Sequence, residues 1–189
     1  HDPSSPIPGR EVSAPWWREP RARPLAVLGA LLVASGLGHV VVWALEGGPW
    51  EGPVTWRKPI LFGVSGGLTS LSLGWMWSKL AWRRGDAVLA SLTAWALTVE
   101  VALIDVQRWR GVASHFNRAT PLDSWLYDVM GGLILFVTLV VADLALRCCT
   151  RPTAFAPDMH LAASAGALLL LVSCGLGIWA SIHGDLEAA

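Results

Sequence analysis

Five runs of apolar residues, at 25–45, 60–80, 87–107, 125–146 and 160–182, dominate this chain of 189 residues. Each is close to the roughly 20 residues a helix needs to cross ~30 Å of hydrocarbon. A bilayer interior offers no water to an open sheet edge, so a spanning segment must close its own backbone hydrogen bonds, as a helix does. The predicted fold is therefore all-α, an integral membrane bundle of about five transmembrane helices. Charged residues make up 15% of the chain, against about 25% in soluble domains. The formal net charge is zero, which leaves no electrostatic case for a nucleic-acid partner. The expected partner is the lipid bilayer.

Residues 1–24 are rich in Pro, Ser and Arg and lack an apolar period. They read as a disordered or interfacial N-terminal arm, with Trp16 and Trp17 placed to dip into the headgroups. The transmembrane domain is expected over 25–183, followed by a short tail at 184–189. The chain starts at His1 rather than Met, so its start reads as processed or trimmed, and no secretory signal pattern is recognised. Connections are short and punctuated: Gly47-Gly48-Pro49, Gly52-Pro53, Arg83-Arg84-Gly85-Asp86, with Asp86 read as an N-cap. Asp143 and Arg147, four apart, read as a helical ion pair, and Gly63 and Gly67 as a GxxxG packing face. Cys148, Cys149 and Cys174 make no disulfide framework; they read as small apolar fillers, with palmitoylation open at the adjacent pair.

Orientation follows from the basic residues. One side would hold Arg10, Arg18, Arg21, Arg23, Lys79, Arg83, Arg84, Arg147 and Arg151, nine in all, and the other Arg57, Lys58, Arg108, Arg110 and Arg118, five in all. The positive-inside rule then places the N-terminus inside and the C-terminus outside, in a bacterial cytoplasmic (inner) membrane. Trp75, Trp77 and Trp82 would mark the inner boundary, and Trp50, Trp56, Trp109, Trp125 and Trp179 the outer one, as interfacial anchors.

This topology brings two polar stretches to the outer side: Trp56-Arg57-Lys58-Pro59, and the loop from Gln107 through Asp123. Glu100 lies seven residues before Gln107, on the same helical face and roughly 10 Å deeper. A carboxylate inside a span is costly unless neutral, hydrated or paired, which marks it as a functional candidate. Lys58 and Arg110 are its expected partners from above. His39 and Ser65 lie at similar depth, so converging faces would open a polar pocket outward. No P-loop, dinucleotide fingerprint, HExxH or CxxC motif is present, and no metal ligands are assigned. Ser114, His115 and Asp123 make a triad only on paper. A bis-histidine haem would need facing imidazoles at one depth, which His39, His115, His160 and His183 do not supply, so the cofactor question stays open.

The run Trp56-Arg57-Lys58-Pro59-Ile60-Leu61-Phe62 through Ser65 resembles the W-x-K-P-x-x-F-x-x-S start of a helix in a family of uncharacterised bacterial multi-pass membrane proteins. Glu100, then Gln107 through Arg110-Gly111, Ser114-His115-Phe116-Asn117 and Thr120-Pro121-Leu122-Asp123, is similar to that family's E…Q-x-x-R-G-x-x-S-H-F-N-x-x-T-P-x-D block. The resemblance implies weight on Lys58, Glu100, Gln107, Arg110, His115, Asn117 and Asp123, and implies no reaction. It also implies further spans beyond the fifth, so that additional helices or a partner would complete the site. His39 is not in the pattern.

The expected function is a pocket that binds or processes a small polar or amphipathic molecule in the outer half of the bilayer. Glu100 would be the proton acceptor or cation partner and His115 the titrating group. Lys58 and Arg110 would hold an anionic group, with Gln107, Asn117 and Asp123 completing the ligand-binding set. Two rivals are an accessory or assembly subunit of a larger membrane complex, or a homo-oligomer, and an ion-coupled transporter, against which the lack of an inverted repeat counts.

Overall fold

The computed structural model describes residues 14–183. Most of the predicted arm, Arg10 included, and the tail at 184–189 lie outside the described residues. One 3-10 turn, Trp16–Arg18, leads into five helices: α1 Arg23–Glu46, α2 Arg57–Lys79, α3 Asp86–Trp109, α4 Pro121–Thr150 and α5 Pro157–His183. All five are long and apolar enough to cross a membrane, and the architecture is that of a multi-pass membrane protein.

Local chemistry sets the helix ends, and it moves some predicted limits. α1 opens with Pro24 in its first turn and stops at Gly47, whose φ of 71° favours a residue without a Cβ. α4 begins at Pro121, four residues before the predicted limit at 125, because the Thr120 side chain caps it. Thr120 Oγ1 accepts from the Asp123 amide at 3.1 Å and donates to Asp123 Oδ2 at 2.7 Å. Asp86 is not the N-cap of α3: Gly85 (φ 91°) holds that position, and Asp86 is the first helical residue.

α1 and α2 form the tightest pair. A Cβ built on Gly36 would sit 2.7 Å from the Val64 amide nitrogen, and one on Gly67 2.6 Å from the Gly29 carbonyl oxygen. The two backbones touch, and Ser70 Oγ donates to the Leu25 carbonyl across the seam at 2.8 Å. Gly63 and Gly67 are thus the predicted packing face, with Gly29 and Gly36 as their partners. Leu73, Trp77, Ala94, Leu97, Val141 and Leu144 belong to the core shared by α2, α3 and α4. α5 is the loosest element. Among its residues Ala163 and Ala167 are the buried hydrophobic ones, while Leu161, Leu169, Leu176 and Trp179 face outward, as lipid contacts would.

Asp86 anchors the end of the bundle nearest the N-terminus. Its carboxylate is buried and receives both arms of the Arg147 guanidinium, at 3.0 and 2.9 Å. Arg21 Nη1 reaches it at 3.4 Å, and the Arg83 amide donates at 3.0 Å. Asp143 lies 3.6 Å from Arg147, as the spacing predicted, but its closest partner is Arg83, which grips it bidentately at 3.0 and 2.9 Å. Trp77 and Trp56 are 0% and 2% exposed, so neither is the interfacial anchor predicted; both fill the interior. Trp82, Trp109, Trp125 and Trp179 are exposed as anchors should be. Trp16 packs on Gly74, leaving Trp17 as the exposed member of that pair.

Candidate functional site

At the opposite end of the bundle, Gln107, Arg110 and Asp123 close into one knot. Arg110 Nη1 lies 2.8 Å from Asp123 Oδ1 and also donates to Gln107 Oε1. Gln107 Nε2 donates to the same Asp123 oxygen at 3.2 Å, while Thr120 takes the other. The carboxylate is thus fully engaged by the protein and locks the end of α3 to the start of α4. Arg110, expected to hold an anion or Glu100, instead neutralises Asp123.

The loop between these helices is braced by its own side chains. Asn117 Nδ2 donates to the Ala113 carbonyl at 3.0 Å, and its Oδ1 accepts from the Ala119 amide at 3.1 Å, an Asx-type brace. Phe116 adopts φ 57°, uncommon for a residue with a Cβ. Ser114 Oγ and His115 Nδ1 share a hydrogen bond of 2.9 Å. Asp123 is committed elsewhere, so no Ser/His/Asp relay forms.

The His115 ring packs on Phe62 of α2 at 5.3 Å between centroids and on Tyr127 of α4 at 6.5 Å. Lys58 lies one turn before Phe62, on the same face of α2. Burial, followed by the positive charge of Lys58, pushes the His115 imidazole down to about 4. His115 is therefore neutral at physiological pH, not the titrating group expected from its type. An unfolded histidine takes up its proton near 6.5 and the folded one near 4. Between those values the unfolded chain binds more protons, so stability falls as pH drops, by at most about 1.4 kcal/mol per unit. The melting temperature of the wild type should drop more between about pH 7 and about pH 5 than that of His115→Gln. Equal slopes would mean that His115 is solvated.

Lys58 carries the least compensated charge in this region. It is 9% exposed, and Nζ is buried with no hydrogen-bond partner among the described residues. It makes no ion pair with Glu100, and neither does Arg110. Glu100 is itself buried, on the interior face of α3 with Leu97, Ile104 and Gln107, about 10 Å below Gln107. Ser65 is exposed and points away from that interior.

His39 belongs to a second polar cluster. Its Nδ1 donates to the Ser35 carbonyl at 3.0 Å, and its Nε2 accepts from Trp109 Nε1 at 3.4 Å. It stacks on Trp56 at 5.7 Å, and the Arg108 guanidinium sits 3.8 Å from the Trp56 ring centre. Asp105 of α3 joins through Ser35 Oγ at 3.4 Å. Sequence reasoning passed over Asp105, although an acidic residue inside a span is a readable signal. It also missed Trp56 as a cation platform, because burial of that ring depends on which helices meet.

Among the described residues no group of three or more His, Cys, Asp and Glu side chains is placed to hold a metal ion. Comparison with protein-family models, with curated proteins and with solved structures finds no match to this chain.

Proposed function

We propose that this multi-pass membrane protein binds, or acts on, the anionic group of a small polar or amphipathic molecule at the end of the bundle formed by Lys58, Phe62 and the 113–117 loop. One observation carries the reading: the Lys58 ammonium is buried without a partner among the described residues. An uncompensated buried charge costs several kcal/mol, and a bound phosphate, sulfonate or carboxylate would remove that cost. Neutral His115 would offer a hydrogen bond beside it, and Phe62 an apolar wall. Asp123, Arg110, Gln107 and Asn117 act as the frame that holds the loop over Lys58. Glu100 lies deeper, as a separate buried acid.

The resemblance of the W-x-K-P and S-H-F-N blocks to bacterial multi-pass proteins supports the same residues. In this reading the chain lies in a bacterial cytoplasmic membrane, with the Asp86 end inside and the Lys58 end outside, by the excess of Lys and Arg at the former.

The test compares wild type with Lys58→Met, both solubilised gently and captured by a tag. Mass spectrometry of the eluate should find an anionic molecule with the wild type and at least tenfold less with the variant. After exhaustive washing, Lys58→Met should melt above the stripped wild type, because an apolar chain replaces an unpaired charge. Equal recovery of the molecule, or a variant that melts lower, defeats the proposal. The rival reading, an accessory subunit, draws on the sparse packing of α5. It predicts a stoichiometric partner protein in the wild-type eluate whose recovery Lys58→Met leaves unchanged.

A further inference from the structure

A second feature lies at the other end of the bundle and is independent of Lys58. α2, α4 and α5 enclose a groove of about 390 Å³, walled by Leu68, Trp75, Val141, Leu144, Gly166 and Leu170 among others. Its lining residues all lie on three of the candidate spans. Leu68 and Met159 on its rim are 54% and 41% exposed, so it opens sideways toward lipid. α5 contributes Ala162, Ala163, Gly166 and Ala167, and these small side chains are what leave the space.

Unpaired cations lie on the segments that continue α2 and α4 past the groove, toward the Asp86 end. Lys79 is one turn beyond Trp75 on α2, so helical periodicity puts it on the groove's side, and Arg151 stands in extended backbone immediately after α4, seven residues past Leu144. The Ala154 amide donates to the Lys79 carbonyl at 2.9 Å, and Phe155 packs on Trp75 at 5.0 Å, which fixes the Arg151 loop against α2. Glu19, Asp86 and Asp143 at this end are all ion-paired. Lys79, Arg84 and Arg151 are not, among the described residues, and Asp158 is the one acidic residue near the mouth that is likewise unpaired.

We infer that the α2/α4/α5 groove is a binding site for one anionic phospholipid, with an acyl chain along Leu68, Leu144 and Gly166 and its phosphate between Lys79 and Arg151. The apolar walls suit the chain, and the unpaired cations suit the headgroup. A zwitterionic lipid satisfies the first requirement but gains little from the second.

The experiment uses the full chain, delipidated and then titrated in detergent with phosphatidylglycerol or phosphatidylcholine of identical chains, and read by native mass spectrometry. One phosphatidylglycerol should be retained per protein, preferred about 30-fold if both cations act. Lys79→Gln with Arg151→Gln should bring that preference close to one while the protein stays monodisperse. Gly166→Leu should remove both lipids: a Cβ at Gly166 meets nothing within 4 Å, so the larger side chain grows into the groove without a clash. The inference is overturned by equal retention of the two lipids on the wild type, or by an undiminished preference in the double variant. Lipid retention by Gly166→Leu would place the lipid elsewhere. A delipidated dimer that Gly166→Leu dissociates would show the groove to be filled by a second copy of this chain.

Discussion

Gly36→Leu should destroy most of the α1–α2 contact, whereas Gly38→Leu, two residues along the same helix, should leave it intact. A Cβ at 36 would meet the Val64 nitrogen at 2.7 Å and the Ile60 carbonyl oxygen at 2.9 Å, both backbone atoms that no rotamer change can move. At position 38 nothing lies within 4 Å. Overpacking a core ordinarily costs about 1–3 kcal/mol because side chains shift to make room. Here the only relief is separation of two helices, which would also break the Ser70–Leu25 hydrogen bond and uncover the glycine faces. The expected cost is at the upper end of that range or beyond it. The recovery of monodisperse protein after solubilisation and its melting temperature are the readouts. Comparable losses for the two variants would mean that insertion, not packing, is being measured, and an unaffected Gly36→Leu would refute the close seam.

Asp86→Ala should be nearly as damaging, for an electrostatic reason. It takes from Arg147, 8% exposed, the carboxylate that holds both of its arms, leaving only Asp143 at 3.6 Å, and it takes from Arg21, 5% exposed, its second acid beside Glu19. Removing one partner of a buried ion pair costs about 3–5 kcal/mol, most of it the desolvation of the charge left behind. Asp86→Leu combined with Arg147→Met should recover part of that loss, because the stranded charge goes too. Arg118→Ala supplies the contrast. Its pair with Asp128 is close, at 2.7 Å, but both side chains are more than half exposed, so its melting curve should not move. If Asp86→Ala were as mild as Arg118→Ala, the Asp86 cluster would have to be hydrated.

Several of these features were legible in the sequence for simple reasons. The five spans follow from length and apolarity alone, since lipid leaves one backbone solution for such segments. The Gly63–Gly67 face is a spacing within one helix, and spacing is what a sequence records. Asp143 and Arg147 illustrate the limit. Their four-residue separation correctly brought them within reach, but Arg83 and Asp86, on other segments, claimed their shortest bonds.

For the candidate residues, type and depth were legible in the sequence, and arrangement was not. Gln107, Arg110, Asn117 and Asp123 bond within the α3–α4 connection, and His115 of the same loop lies within reach of the charge of Lys58. Depth alone suggested that Glu100, His39 and Ser65 converge as well, yet depth leaves rotation about the helix axis free. Ser65 turns outward, His39 turns to Trp109 and Trp56, and Glu100 stays two turns below the loop. The protonation of His115 was equally out of reach. The residue type placed it near neutrality, and only burial against Phe62 and Tyr127, with Lys58 nearby, moved it to about 4.

The sequence by itself determined where this chain must be helical, how many times it can cross a bilayer, and which glycines form a packing face. Those outcomes depend on hydrogen-bond closure in lipid and on periods of three, four or seven residues, all of them properties of one segment. Tertiary structure decided which charges are neutralised, by Arg147 on Asp86 and Arg110 on Asp123, and which is left bare, at Lys58. Pairing between charges depends on the rotation and separation of whole helices, set by contacts such as Gly36 on Val64 that lie far apart along the chain.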